Sequence, residues 1–106
     1  MQIDVFYFEG CPSYEALMPR LYGLLEESGF GKEEVRFHCV ESEDEADAHR
    51  FLGSPTVRVN GADVDPTAAD RVDFGMKCRI YRLRGEQTHT PPEEWIRSAL
   101  RAAGES

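Results

Sequence analysis

The segment Gly10-Cys11-Pro12-Ser13-Tyr14 constrains this chain most, because a strand pattern changes into a helix pattern there. Before it, Met1–Phe8 is rich in Val, Ile, Phe and Tyr, with apolar side chains on both alternating faces except at Asp4. That pattern suits a central strand covered on both sides. After it, Leu17, Leu21, Leu24 and Leu25 fall on one helical stripe, which predicts a helix from about Ser13 to Glu27, ended by Gly29. Pro19 lies inside that helix, where it removes a backbone hydrogen bond and favours a kink. A thiol therefore stands at a helix N-terminus, where backbone N–H groups and the helix dipole favour negative charge.

The remaining pattern extends this start. A second strand is expected near Val35–Val40, with Val35, Phe37 and Cys39 on one face and Arg36, His38 and Val40 on the other. Cys39, mid-strand among apolar residues, reads as a small buried hydrophobe. Ser42-Glu43-Asp44-Glu45 has the form of a capping box opening a short acidic helix that ends before Gly53. Pro55–Asn60 is a third strand, and Asn60-Gly61 signals a hairpin that returns through Ala62–Asp65. Thr90-Pro91-Pro92-Glu93 opens a last helix, through about Ala103, with Trp95, Ile96, Ala99 and Leu100 facing inward. The segment from Pro66 to His89 is polar around one strand-like run, Cys78–Leu83. The order is βαβαββ, an insertion, then α. It predicts an α/β chain with a central mixed sheet flanked by helices, in one domain over 1–106 with an insertion at about 66–89.

Charge narrows the partners. Twenty acidic residues against twelve basic ones leave a net charge of -8, which argues against nucleic acid and anionic membranes. No apolar run approaches the roughly 18 residues that cross a bilayer, and the start lacks a signal-peptide pattern. Three cysteines do not form a secreted disulfide framework, so a cytoplasmic chain is expected. No zinc spacing, glycine-rich phosphate loop or nucleophile elbow occurs, so neither metal nor cofactor is expected.

The succession of elements resembles the thioredoxin-like superfamily. Cys11 begins the first helix, as that family's attacking cysteine does, and Pro19 lies eight residues on, where the family carries its helix-kinking proline. Gly53-Ser54-Pro55-Thr56 looks like the family's cis-proline element, which packs beside the active cysteine. The resemblance covers about Gln2–Asp65 and the last helix. More narrowly, the chain is similar to small bacterial thioredoxin-family proteins, some labelled selenoproteins or grouped near alkylmercury lyases. In one respect it departs: the family's Cys-x-x-Cys motif ends here in Tyr14, so no dithiol cycle can run within the motif.

The resemblance implies a thiol–disulfide oxidoreductase with Cys11 as attacking thiolate, opposed by the like charge of Glu9 and Glu15. Cys78 is the better resolving thiol, because the strand after Asn60-Gly61 returns toward the Pro55 end; an unpaired cysteine in the insertion is the other reading. Pro55 belongs to the site, and Ser54, Thr56 and Arg79 to the substrate side. Tyr14 either donates to a thiolate or packs across the helix. Lys77, Arg79, Arg82 and Arg84, with no acid among them, make either a cationic rim for an anionic thiol or a solvated face that pairs with the surplus acids. Asp63, Asp65, Asp70 and Asp73 read as loop and cap residues. The expected partner is a thiol or disulfide substrate, glutathione or a protein. Two alternatives stand beside this: a soft-metal or organomercurial site on Cys11 and Cys78, or a binding module without chemistry.

Overall fold

The computed structural model describes residues 2–104; Met1, the expected start of the first strand, lies outside the described residues with 105 and 106. The strands Ile3–Tyr7 (β1), Val35–Cys39 (β2), Thr56–Val59 (β3) and Ala62–Asp63 (β4) form one mixed sheet in the order β2-β1-β3-β4. β1 runs parallel to β2 and antiparallel to β3, with Ile3 opposite both Val35 and Val59. Its central place matches its two-sided pattern, since Ile3, Asp4, Val5 and Phe6 are all buried. Asp4 is tolerated there because its carboxylate is met by His38 Nε2 at 2.8 Å and accepts from Gln2 Nε2 at 3.0 Å.

The helix Pro12–Glu27 (α1) has Cys11 as its N-cap and Pro12 in the first turn, where a missing N–H costs little. Its stripe Leu17, Leu21, Leu24 and Leu25 packs with Ile96 and Leu100 of the last helix, Glu93–Gly104 (α3), on Ile3, Val5, Val57 and Val59. Each such side chain, fully buried, contributes about 1.5–3 kcal/mol. Phe6 instead faces the opposite side, in a cluster with Val40, Ala46 and Phe51 around the short helix Glu43–Ala48 (α2). α2 starts as its sequence requires: the Ser42 hydroxyl accepts from Glu45 N–H at 3.1 Å. The Glu45 carboxylate reaches back one residue further than a capping box predicts, to Glu41 N–H at 2.6 Å. The architecture is mixed α/β, with helices on both faces of the sheet.

Three expectations are corrected. β2 is an edge strand, and the helical layer covers Val35 but not Phe37 or Cys39, which are exposed. Cys39 is therefore not a core residue. The run Cys78–Leu83 is strand only over Tyr81–Leu83 (β5), which pairs with an unforeseen strand, Glu86–Thr88 (β6). Its turn, Arg84-Gly85, has φ values of 52° and 81°, the same two positive angles that Asn60 and Gly61 adopt at 51° and 86°. α3 begins later than the Thr90 cap predicts, because Pro92 rather than Thr90 supplies the first carbonyl, accepting from Trp95 N–H at 3.0 Å. Among the described residues, no helix is long and apolar enough to cross a membrane.

Candidate functional site around Ser54

β1 ends and β3 begins at the same edge of the sheet, so the turn into α1 meets the loop that enters β3. Cys11 N–H donates to Phe8 O at 3.4 Å, and Cys11 O accepts from Glu15 N–H at 3.4 Å to start the helix. Its thiol is 1 % exposed and points at the Ser54 carbonyl, 3.9 Å away. The Ser54–Pro55 peptide bond is cis. On the β1 side, the Ser54 hydroxyl accepts from Phe8 N–H at 3.4 Å. On the other side, Ser54 N–H donates to Lys77 O at 2.8 Å, and Ser54 O accepts from Arg79 N–H at 3.0 Å. These two bonds form a parallel bridge that sets Cys78 beside Ser54. One residue thus touches the Cys11 thiol and pairs with Cys78, the first buried and the second exposed.

The close approach has a sequence condition at Gly53, whose φ is +128°. A Cβ there would lie 2.9 Å from Arg79 Cβ and 3.0 Å from Lys77 O, so only glycine lets the two segments meet. Arg79 then locks them. Its Nη1 donates to Asp63 Oδ2 at 2.7 Å and Thr56 Oγ1 at 3.0 Å, and its Nη2 to Asp63 Oδ1 at 3.2 Å and Asp65 Oδ2 at 3.4 Å. Burial works against the guanidinium's charge, but its surroundings (Tyr81, Asp63 and Asp65) outweigh that, so Arg79 holds its proton above the ordinary arginine value. Thr56 Oγ1 donates onward to Gly53 O at 2.7 Å. The Tyr81 hydroxyl, pushed well up by burial, donates to the Pro55 carbonyl.

The residues expected on the substrate side turn inward instead. Ser54, Thr56 and Arg79 are brought together, but their side chains are buried and bonded inside the protein. Three of the four cations in the run meet the surplus acids: Lys77 pairs with Asp73, Arg79 with Asp63 and Asp65, and Arg84 with Glu94. Arg71 and then Lys77 hold the Asp73 carboxyl well below the usual carboxylate range. Asp63 and Asp65 are ion-pair partners of Arg79, which the reading as loop and cap residues missed. Tyr14 packs rather than reaching the thiol: its ring stacks on Tyr7 at 4.0 Å and meets Phe37 edge-on at 6.4 Å. Burial first, and then neighbouring tyrosine and cysteine groups, raise the Tyr14 hydroxyl. Cys39 lies opposite Tyr7 at this same edge. Among the described residues, no three His, Cys, Asp or Glu side chains converge to hold a metal ion. The arrangement sets the Cys11 thiol and the backbone of Cys78 on either side of Ser54. Comparison with known protein families, curated proteins and solved structures finds no match to this chain.

Proposed function

We propose that this chain is a thiol–disulfide redox protein of thioredoxin-like fold, cycling Cys11 and Cys78 between dithiol and disulfide. The observation that carries the reading is Ser54, in contact with the Cys11 thiol at 3.9 Å and bridged to Cys78. Four features support the fold assignment: the strand order, Cys11 as the N-cap of α1, Pro19 within α1, and the cis bond at Pro55.

In the cycle, the Cys11 thiolate attacks one sulfur of an outside disulfide. A mixed S–S bond forms, the substrate's S–S bond breaks, and one substrate thiolate leaves with the bonding pair. The Cys78 thiolate then attacks Cys11 Sγ and expels the second substrate thiolate. The substrate gains two electrons, the protein loses two, and the protons of Cys11 and Cys78 end on the released thiols. An outside thiol such as glutathione, or a protein dithiol, reverses the steps. The helix N-terminus favours the first role for Cys11, because negative charge is stabilised there. Exposure favours the opposite order, with Cys78 meeting the substrate and the buried Cys11 resolving.

Oxidised glutathione separates the two orders. Peptide mapping of the treated protein should find a Cys11–Cys78 disulfide. In Cys78→Ser, glutathione retained on Cys11 assigns the attack to Cys11; retained instead on Cys78 in Cys11→Ser, with Cys78→Ser unmodified at Cys11, it reverses the order. Oxidation that never joins Cys11 to Cys78 overturns the proposal.

A further inference from the structure

The sheet face opposite α1 and α3 carries a cavity of about 350 Å³, lined by neither Cys11, Ser54 nor Cys78, although Asp63 and Asp65 of the Arg79 network border it. Its floor includes Arg58, which alternates with Val57 and Val59 along β3 and lies 4.3 Å over the Phe6 ring. Arg50 stands at one wall, its guanidinium 5.1 Å from the Phe74 ring centroid. Leu52, Ala62, Ala68, Ala69 and Phe74 give the cavity an apolar lining.

Within the cavity, the charges are unevenly paired. Arg71 is paired with Asp73, and the cavity's carboxylates, Asp63 and Asp65, are both bonded to Arg79. Arg50 and Arg58, by contrast, have no carboxylate within ion-pair distance among the described residues. Arg58 spends Nη2 on the carbonyls of His49 at 2.6 Å and Arg50 at 3.2 Å, which leaves Nε and Nη1 without a protein acceptor among the described residues. Burial lowers Arg58, and the pull of Asp63 and Asp4 does not fully offset it, so an approaching anion would stabilise a guanidinium that the fold leaves short of partners.

The backbone adds an independent sign. α2 closes with Phe51 N–H donating to Ala46 O at 2.8 Å and Arg50 N–H to Asp47 O at 3.1 Å. That closure puts residue 50 in the left-handed region, at φ 54°, a position that glycine fills without strain. An arginine here is conformationally costly and gains no ion pair in return, and strain of this kind collects at binding sites.

We infer that this cavity binds a small organic anion, its acid group held by Arg50 and Arg58 and its apolar body lying on Leu52, Ala68, Ala69 and Phe74. The volume is that of a small-molecule site. A planar carboxylate suits the guanidinium forks, and the apolar wall favours an aromatic or short aliphatic body over a bare oxyanion.

Titration with benzoate and, separately, with inorganic phosphate, followed by amide and guanidinium chemical shifts, tests this. Benzoate should give saturable shifts centred on Arg50, Arg58 and Phe74, at lower concentration than phosphate. Arg50→Gly removes the charge and the strain together, so it should weaken benzoate binding by about tenfold or more while the Tm stays level or rises. Arg58→Lys, which keeps the charge and loses the fork, should also weaken it. Absence of saturable benzoate shifts in the parent protein overturns the inference, as does Arg50→Gly binding benzoate as tightly as the parent. Phosphate binding as tightly as benzoate overturns the organic-anion assignment.

Discussion

The two faces of the sheet are held by different forces. Toward α1 and α3, the alternate residues Ile3, Val5, Val57 and Val59 meet leucines and Ile96. Toward α2 and the insertion, Asp4, Phe6, Thr56 and Arg58 share the surface with a small apolar cluster and the Arg79 network. The first face depends on area and shape, which many aliphatic side chains can supply. The second depends on pairing, where each charge is tolerable only while its partner is present. The same peptide units are thus insured on one side and conditional on the other.

Breaking the pairing should have the largest effect. Arg79→Leu leaves Asp63 and Asp65 facing a buried, uncompensated site, and about 3–5 kcal/mol of stability should be lost in urea denaturation. Replacing Asp63 and Asp65 as well should recover much of that loss; equal stability of Arg79→Leu and the parent would erase the distinction between the faces. On the apolar face, Leu21→Ala should cost about 2–5 kcal/mol through lost transfer energy and an unfilled cavity. Its recovery by nearby enlarging substitutions, which no such change should achieve for Arg79→Leu, sharpens the contrast. Tyr81→Phe strips the Pro55 carbonyl of its donor, and about 1–3 kcal/mol should follow, visible as a lower urea midpoint with an unchanged slope.

The smallest effect lies at Asp73, whose side chain is 51 % exposed. Its folded-state carboxyl titrates below the unfolded value of about 3.9, so its pairs with Arg71 and Lys77 stabilise the fold above that pH. That contribution should disappear as pH falls through the folded value, and salt should shrink it. Comparing the parent with Asp73→Asn across acid pH reads this directly. A difference that persists in strong acid would mean the ion pairs are not its source.

Legibility in the sequence followed the same division. The leucine stripe of α1, the two-sided pattern of β1 and the Asn60-Gly61 turn are local periodicities, and each appears where its spacing puts it. Cys39 lies in a locally apolar segment and is nevertheless exposed, because whether a strand lies at an edge depends on strand order, which no single segment encodes. The Arg84-Gly85 turn escaped because arginine rarely takes the first left-handed position of such a hairpin. At the candidate site, the sequence places Cys11, Pro55 and Cys78 on elements that the topology brings to one edge. The inward turn of Ser54, Thr56 and Arg79 had no sequence mark, since a basic run looks the same in solvent as in an ion-paired core.

Ser54 has one more consequence. Its N–H and C=O are both filled by Lys77 and Arg79, so the peptide unit next to Cys11 is already stitched to its own chain. An extended polypeptide arriving there finds no main-chain rungs to occupy. At Ser54 itself, side chains are what remain to hold such a visitor. The segment that carries Cys78 thus occupies the backbone positions on Ser54 that a strand from another chain would need in order to pair there.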